Sequence, residues 1–192
     1  MRAFVAVQLP EWLKANVARV QASLKWHLRA HHLRWASTRQ LHLTLKFLGE
    51  VDEEAVPEMT ANLEMAVAAV SPFTLSVGGF GCFPDGERPR VCWLGVEGAV
   101  AELTVLQQRV EEALLPWSPQ EARPFVPHLT LARVTRPVRG LRRDVAALPE
   151  AMIHETLGSW EVKAVDFMRS VLLPQGARHE LVKKVGLEGE AK

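Results

Sequence analysis

Apolar positions along this chain follow two different periods. Residues 2–8 are largely apolar, which is typical of a central strand, and several later segments alternate with a period of two and predict further strands. Helices are predicted where apolar residues recur every three or four positions. The predicted strands lie at residues 2–8, 33–36, 41–48, 73–80, 90–97, 128–134, 160–173 and 178–186, and the predicted helices run from Pro10 past Leu24, from Asp52 to about Val70, and over 100–115 and 141–147.

One tetrapeptide, His-Leu-Thr-Leu, occurs in two of these predicted strands, at residues 42–45 and 128–131. Alternation along a strand places His and Thr on one face and the two leucines on the other. Two such strands brought together would direct two imidazoles and two hydroxyls into one cleft. The alternative is two unrelated amphipathic strands whose polar side chains face water.

The order of the elements predicts an α+β fold. Strands and helices are mixed, and the turn signals between strands favour antiparallel pairing. The 86-residue spacing between His42 and His128 is close to half the chain, which suggests an ancient duplication. We therefore expect residues 1–192 to form a single domain of two pseudo-symmetric lobes, with antiparallel sheets, helices packed outside, and an active-site cleft between the lobes.

Composition narrows the function. A hydrophobic content of 48% suffices for a real core, and 23 basic against 22 acidic residues argue against a protein that coats long nucleic acids. A partner that is bound locally, at one phosphate, is compatible with this charge balance. No segment is typical of a signal peptide or a membrane span, so we expect a cytoplasmic protein with no membrane partner. Cys82 and Cys92 flank a predicted turn and are expected to be small buried neighbours.

The repeated motif suits phosphodiester chemistry. Histidine has an ordinary pKa of about 6.5, so one ring can take a proton while the other gives one. Thr44 and Thr130 can hold non-bridging phosphate oxygens, and a cation can stabilise the transition state. Lys46 has the same strand parity as the first histidine, whereas Arg133 has the opposite parity and reaches the cleft only if its strand ends, twists or bulges near Ala132. No metal or other cofactor is required, and none is expected.

Longer segments around the motifs resemble the 2H phosphoesterases, and most closely the RNA 2′,3′-cyclic phosphodiesterases, which are also called 2′-5′ RNA ligases. The segments that carry the resemblance are residues 2–7, 41–50, 83–84, 89–95, 125–133 and 170–177. The resemblance implies two lobes related by a pseudo-twofold axis. It also implies that His42 is the proton donor and His128 the proton acceptor, with Thr44, Thr130, Arg133 and Lys46 binding substrate. One departure is His179, where relatives often carry Tyr.

The expected activity is therefore hydrolysis of 2′,3′-cyclic phosphate ends of RNA to 2′-phosphates, with reversible 2′-5′ ligation at the same site. The expected partners are RNA ends such as those of tRNA fragments, and the expected state is a monomer. Two other functions stay open: a non-catalytic module that binds RNA ends or nucleotides, and a phosphodiesterase for a small cyclic nucleotide.

Overall fold

The computed structural model describes residues 1–84, 88–136, 140–173 and 176–189. Within these ranges nine strands alternate with five α-helices. The strands are β1 (Arg2–Gln8), β2 (Leu33–Trp35), β3 (His42–Glu50), β4 (Phe73–Phe83), β5 (Val91–Gly98), β6 (His128–Val134), β7 (Thr156–Val162), β8 (Ala164–Leu173) and β9 (Gly176–Gly186). The helices are α1 (Glu11–His27), α2 (Val56–Val67), α3 (Val100–Ala113), α4 (Leu141–Ala146) and α5 (Glu150–His154).

The strands form two sheets, and each neighbouring pair of strands is antiparallel. One sheet has the order β3-β1-β8-β9 and the other β2-β6-β5-β4-β7. The chain passes repeatedly from one sheet to the other, since β2 and β3 are consecutive but lie in different sheets. β3, at the edge of the four-stranded sheet, lies beside β6 of the five-stranded sheet. The predicted α+β class is confirmed.

The last part of the chain differs from the prediction. The segment predicted as one strand over 160–173 is two strands, because the chain leaves the five-stranded sheet at Lys163 and enters the other. The buried positions change parity there, from Trp160 and Val162 to Val165 and Phe167. Helix α5 was not predicted at all.

Helices cover one face of each sheet. Helix α1 packs on the five-stranded sheet, where Asn16 Nδ2 donates to the Leu157 carbonyl over 2.9 Å. Helix α3 packs against β3, and α2 against α3 and β9. The buried side chains of the helices and of both sheets form one contiguous core, while Phe4, Ala6 and Met168 make a small cluster on the other face of the four-stranded sheet. The face of each sheet that no helix covers is therefore open, and a functional site can form there.

The internal repeat extends beyond the tetrapeptide. The same 86-residue offset that separates the two motifs also relates the buried positions of α1 to those of α3. Val17, Val20, Gln21 and Leu24 correspond in this way to Leu103, Leu106, Gln107 and Val110. Each motif strand therefore has a matching helix elsewhere in the chain, with the same buried polar residue.

The two cysteines lie directly opposite each other on β4 and β5, as neighbours across the predicted turn. Their sulfurs are 3.4 Å apart and no disulfide joins them. Cys92 is buried as expected, whereas Cys82 is only half-buried. None of the helices in the described ranges is long and apolar enough to cross a bilayer.

Candidate active site

The two motif strands present their histidines and threonines on the open faces of the sheets. In β3 the alternating Leu43 and Leu45 are 1% and 3% exposed, and their neighbours His42 and Thr44 are only half-buried. In β6 both leucines are fully buried in the same way, and they alternate with the half-buried His128 and Thr130. The faces predicted by alternation are the observed ones.

Both histidines are held by the backbone in the same manner. Nδ1 of His42 lies 2.8 Å from the carbonyl oxygen of Gln40, and Nδ1 of His128 lies 2.7 Å from that of Val126. A carbonyl can only accept a hydrogen bond, so each Nδ1 must carry a proton and donate it. The neutral ring then has its lone pair on Nε2, which makes no hydrogen bond with any described residue. Each motif thus fixes the tautomer and leaves Nε2 as the atom that can exchange protons.

His42 is enclosed by other rings. The Phe4 ring stacks on it with centroids 4.7 Å apart, and the His179 ring meets it edge-on at 5.2 Å. The pKa of His42 is lowered from 6.5 to about 4. Burial is the largest cause, the hydrogen bond to Gln40 opposes it, and the nearby His179 and Lys14 add to the lowering. Burial also lowers the pKa of His179. The ring of His42 is therefore neutral at pH 7.

His128 has more open surroundings. The Phe83 ring meets it edge-on, with centroids 5.2 Å apart, and stacks in turn against Trp93. A cavity of about 390 Å³ flanks this histidine on the side of Val126. Its floor is bare backbone at Gly78 and Gly95, and a Cβ on Gly95 would lie 2.8 Å from the Gly78 carbonyl oxygen. The rest of its lining includes Trp93, Pro127 and His154.

A β-bulge follows the threonine in each motif and changes the face of the sheet on which the later side chains lie. Thr44 pairs with Ala6, but the next pair is Lys46 with Val5, so Leu45 is an extra residue. Thr130 pairs with Trp93, but the next pair is Ala132 with Cys92, so Leu131 is extra. An extra residue reverses the alternation, and every later side chain moves to the other face.

The bulge overturns the expectation that Lys46 faces the cleft. Lys46 lies on the core side and is 3% exposed. Its ammonium forms an ion pair with the Glu111 carboxylate of α3 and donates to the Pro119 carbonyl oxygen over 3.1 Å. The position that parity assigned to Lys46 is taken by Phe47, which pairs with Phe4 and is 67% exposed. Lys46 is a buried structural cation.

Arg133 was expected to reach the cleft only if its strand ended, twisted or bulged near Ala132, and the bulge in β6 meets that condition. Because Leu131 is extra, Arg133 pairs with Val91 on the face that carries Trp93 and Thr130. Its side chain is exposed on that face. The same displacement thus turns one predicted cation away from the open face and brings the other onto it.

A buried glutamine from a helix binds each bulge. Gln107 Nε2 of α3 donates to the Leu45 carbonyl oxygen over 3.4 Å, and Gln21 Nε2 of α1 reaches the Leu131 carbonyl oxygen over 3.5 Å. A buried peptide carbonyl needs a hydrogen-bond donor. At Leu131 the backbone N–H of Ala36 is the nearer donor, at 2.8 Å, and Gln21 donates over 2.9 Å to the Ala36 carbonyl oxygen. Each glutamine therefore connects a helix to the backbone at one of the two bulges.

Sequence reasoning missed several residues of this site. Phe4, Phe83 and His179 surround the histidines but lie outside the motifs. The family resemblance marked the position of His179 as a departure, but no motif in the chain predicted that its ring contacts His42. The two glutamines could have been found, because they share the offset of the motif histidines. In the described ranges no group of three or more His, Cys, Asp or Glu side chains is arranged to hold a metal ion.

Comparison with known proteins agrees with this geometry. A sequence model of the 2′-5′ RNA ligase superfamily matches residues 9–171. The chain belongs to this superfamily. It is 34% identical to a protein of Methanothermobacter thermautotrophicus named RNA 2′,3′-cyclic phosphodiesterase, over 92% of this chain and 93% of that one. A Thermus thermophilus protein of the same name is 32% identical over 99% and 92% of the two chains.

Solved structures of the superfamily share the fold. A crystal structure from Thermus thermophilus superposes with a TM-score of 0.81, at 30% identity and full coverage of both chains. LigT of E. coli, crystallised with 3′-AMP, superposes with a TM-score of 0.73 at 25% identity and 97% coverage of both chains. The pseudo-symmetric α+β architecture is therefore that of the superfamily.

Proposed function

We propose that this protein hydrolyses the 2′,3′-cyclic phosphate end of RNA, with His42 and His128 as general acid and base. The observation that carries the proposal is the matched presentation of the two imidazoles, each with Nδ1 bound to the carbonyl two residues earlier and Nε2 free. Relatives of similar length that are named RNA 2′,3′-cyclic phosphodiesterase support the same reaction.

The reaction needs both histidines in opposite protonation states. Nε2 of His128 takes a proton from water as the water oxygen attacks phosphorus. Nε2 of His42 gives its proton to the departing 3′ oxygen, and the product carries a 2′-phosphate. The hydroxyls of Thr44 and Thr130 hold the non-bridging oxygens and stabilise the charge that develops there. Each proton transfer contributes roughly 10²–10⁴-fold to the rate.

The low pKa of His42 fits the donor role once substrate is bound. Burial keeps this ring neutral in the free protein. A phosphodiester anion beside the ring favours its charged form and raises the pKa. His42 is then protonated only in the complex, where its proton has an acceptor.

The same groups support ligation, in which a different nucleophile opens the cyclic phosphate. If a 5′-hydroxyl end replaces water, His128 takes the proton of that hydroxyl and His42 protonates the same 3′ oxygen. A 2′-5′ linkage results, which is the ligation that gives the superfamily its name. RNA ends such as those of tRNA fragments are the candidate physiological substrates, and a monomer is sufficient because one chain carries both motifs.

One assay tests the proposal. The protein is incubated with an oligoribonucleotide that ends in a 2′,3′-cyclic phosphate, with EDTA present, and the product isomer is identified by chromatography. We expect a 2′-phosphate, and at least a hundredfold loss of kcat in either His42→Ala or His128→Ala. His32→Ala, at an exposed ring outside the motifs, is the matched control.

The outcomes separate the remaining alternatives. A 3′-phosphate product would contradict the assigned direction of cleavage, and full activity in either variant would refute the two-histidine mechanism. Tight binding of the oligonucleotide without turnover would instead identify a binding module.

A further inference from the structure

Two arginines lie directly opposite each other on the open face of the five-stranded sheet. Arg34 of β2 pairs with Arg133 of β6, which pairs in turn with Val91 of β5 and through it with Phe83 of β4. Both arginine side chains are exposed. The sheet therefore presents two exposed arginines at directly opposed positions, in the row of residues that follows Thr130.

This pairing has an electrostatic cost in the free protein. Like charges directly opposite on one sheet face repel each other, and strands ordinarily avoid the arrangement. Neither guanidinium forms an ion pair with any described residue, although other exposed arginines such as Arg123 and Arg178 have carboxylate partners. A third exposed arginine, Arg90, lies at the same end of the sheet, where its carbonyl accepts from Val134 N. An anion bound between Arg34 and Arg133 would remove the repulsion.

The position of the pair relates it to the site already described. His128, Thr130 and Arg133 share one face of β6, and the pairing partners of Thr130 and Arg133 on β5 are Trp93 and Val91, two residues apart. Two strand residues span about 6.6 Å. That spacing is comparable to the distance between successive phosphates of an extended nucleic acid strand. A phosphate held at Thr130 would therefore place the next phosphate of the same strand near the two arginines.

We infer that Arg34 and Arg133 bind the phosphodiester that precedes the cyclic end, so that the substrate is an RNA chain of two or more nucleotides rather than a cyclic mononucleotide. This inference rests on the proposed function. Guanidinium groups suit the role because they donate two parallel hydrogen bonds to one phosphate. Arg34 is a binding residue that no motif of the sequence indicates.

The test compares two substrates that differ by one phosphodiester. Values of kcat/KM are measured for adenosine 2′,3′-cyclic phosphate and for the adenosine dinucleotide that ends in the same group. We expect the wild type to prefer the dinucleotide, and Arg34→Gln to lower the dinucleotide-to-mononucleotide ratio about tenfold, the size expected for one lost charge-assisted contact. Arg34→Lys should retain part of the preference. Arg2→Gln is the matched control. Arg2 is exposed and begins β1, whereas Gln8, which pairs with His42, ends it.

A binding experiment keeps the inference testable apart from turnover. The dinucleotide with a 2′-phosphate end is titrated into each protein over a range of salt concentrations. Loss of one phosphate contact should reduce the slope of log K against log salt by about 0.7 in Arg34→Gln and leave it unchanged in Arg2→Gln.

The outcomes distinguish a failure of the proposed function from a failure of the inference about Arg34. If the wild type hydrolyses neither substrate, the proposed function fails and the salt slope alone decides the role of Arg34. If the ratio and the slope of Arg34→Gln equal those of the wild type, the inference is overturned, and the pair is a solvated face. If the wild type shows no preference for the dinucleotide, the substrate is a small cyclic nucleotide and the inference is likewise overturned.

Discussion

The buried ring of His42 should make the protein less stable in mild acid. Burial lowers the pKa of this residue from 6.5 to about 4. Between those two pH values the unfolded chain binds a proton at His42 and the folded chain does not, so the free energy of unfolding falls as the pH falls. The contribution is fully present above pH 6.5 and is lost by about pH 4. At ~1.36 kcal/mol for each pH unit, the loss amounts to about 3 kcal/mol.

Removing the titrating group should remove that loss. The substitution His42→Gln keeps a polar side chain beside Phe4 but binds no proton in this range. Urea unfolding, followed through the fluorescence of the six tryptophans, is measured at several pH values from 7.5 to 4. We expect the wild type to lose about 3 kcal/mol more than the variant over this range. His32→Gln, at an exposed ring, is the control and should follow the wild type.

Two results would bear directly on this reasoning. Burial lowers the pKa of His179 as well, so a smaller acid-dependent loss should persist in His42→Gln. If the curves of the wild type and His42→Gln run parallel from pH 7.5 to 4, then His42 is not desolvated in the folded protein. The argument that substrate binding supplies its proton would then have no basis.

Three further predictions concern the groups that support the site. Lys46→Met leaves the Glu111 carboxylate buried without its ion-pair partner and should lower the unfolding free energy by about 3–5 kcal/mol. The double variant Lys46→Met, Glu111→Leu should recover most of this loss and keep the wild-type kcat/KM. A lysine that bound substrate would instead lower kcat/KM when it was replaced. Gln107→Ala removes the side-chain donor to the Leu45 carbonyl oxygen at the β3 bulge and to Glu111 Oε1, and should cost about 1–3 kcal/mol in urea unfolding. His179→Phe removes a charge that lowers the pKa of His42, so an NMR titration should find that pKa raised; an unchanged value would exclude the contact.

Much of the fold follows from local patterns. The strict alternation in both motifs defines which face is buried, and all four leucines are 3% exposed or less. The Pro10 start of the first helix is confirmed. Asp52 also acts as a cap, but it caps a short 3₁₀ turn by accepting from Glu54 N, and α2 itself runs only from Val56 to Val67. Such features depend only on neighbours in the chain, and therefore on information that a single sequence contains.

The bulges could not be predicted, because nothing local requires them. After Leu45 the chain places a lysine inward and a phenylalanine outward, which is the reverse of what polarity suggests. The inward lysine is tolerated only because Glu111 meets it from a helix 65 residues away. A long-range contact of this kind leaves no trace in the alternation. The split at Lys163 is different, since the change in parity of the buried positions was visible in the sequence.

Identical motifs can take opposite roles only if their surroundings differ, and here the differences come largely from the same structural device. In β3 the bulge places Lys46 in an internal ion pair, so the motif gains no cation on its open face and His42 is enclosed by rings that desolvate it. In β6 the same bulge brings Arg133 onto the face of His128. Pairs of titrating groups whose environments separate their protonation are the usual basis for an acid and a base at neutral pH. On this view a duplication supplied two equal imidazoles, and the residue after each bulge determined which surroundings each of them has.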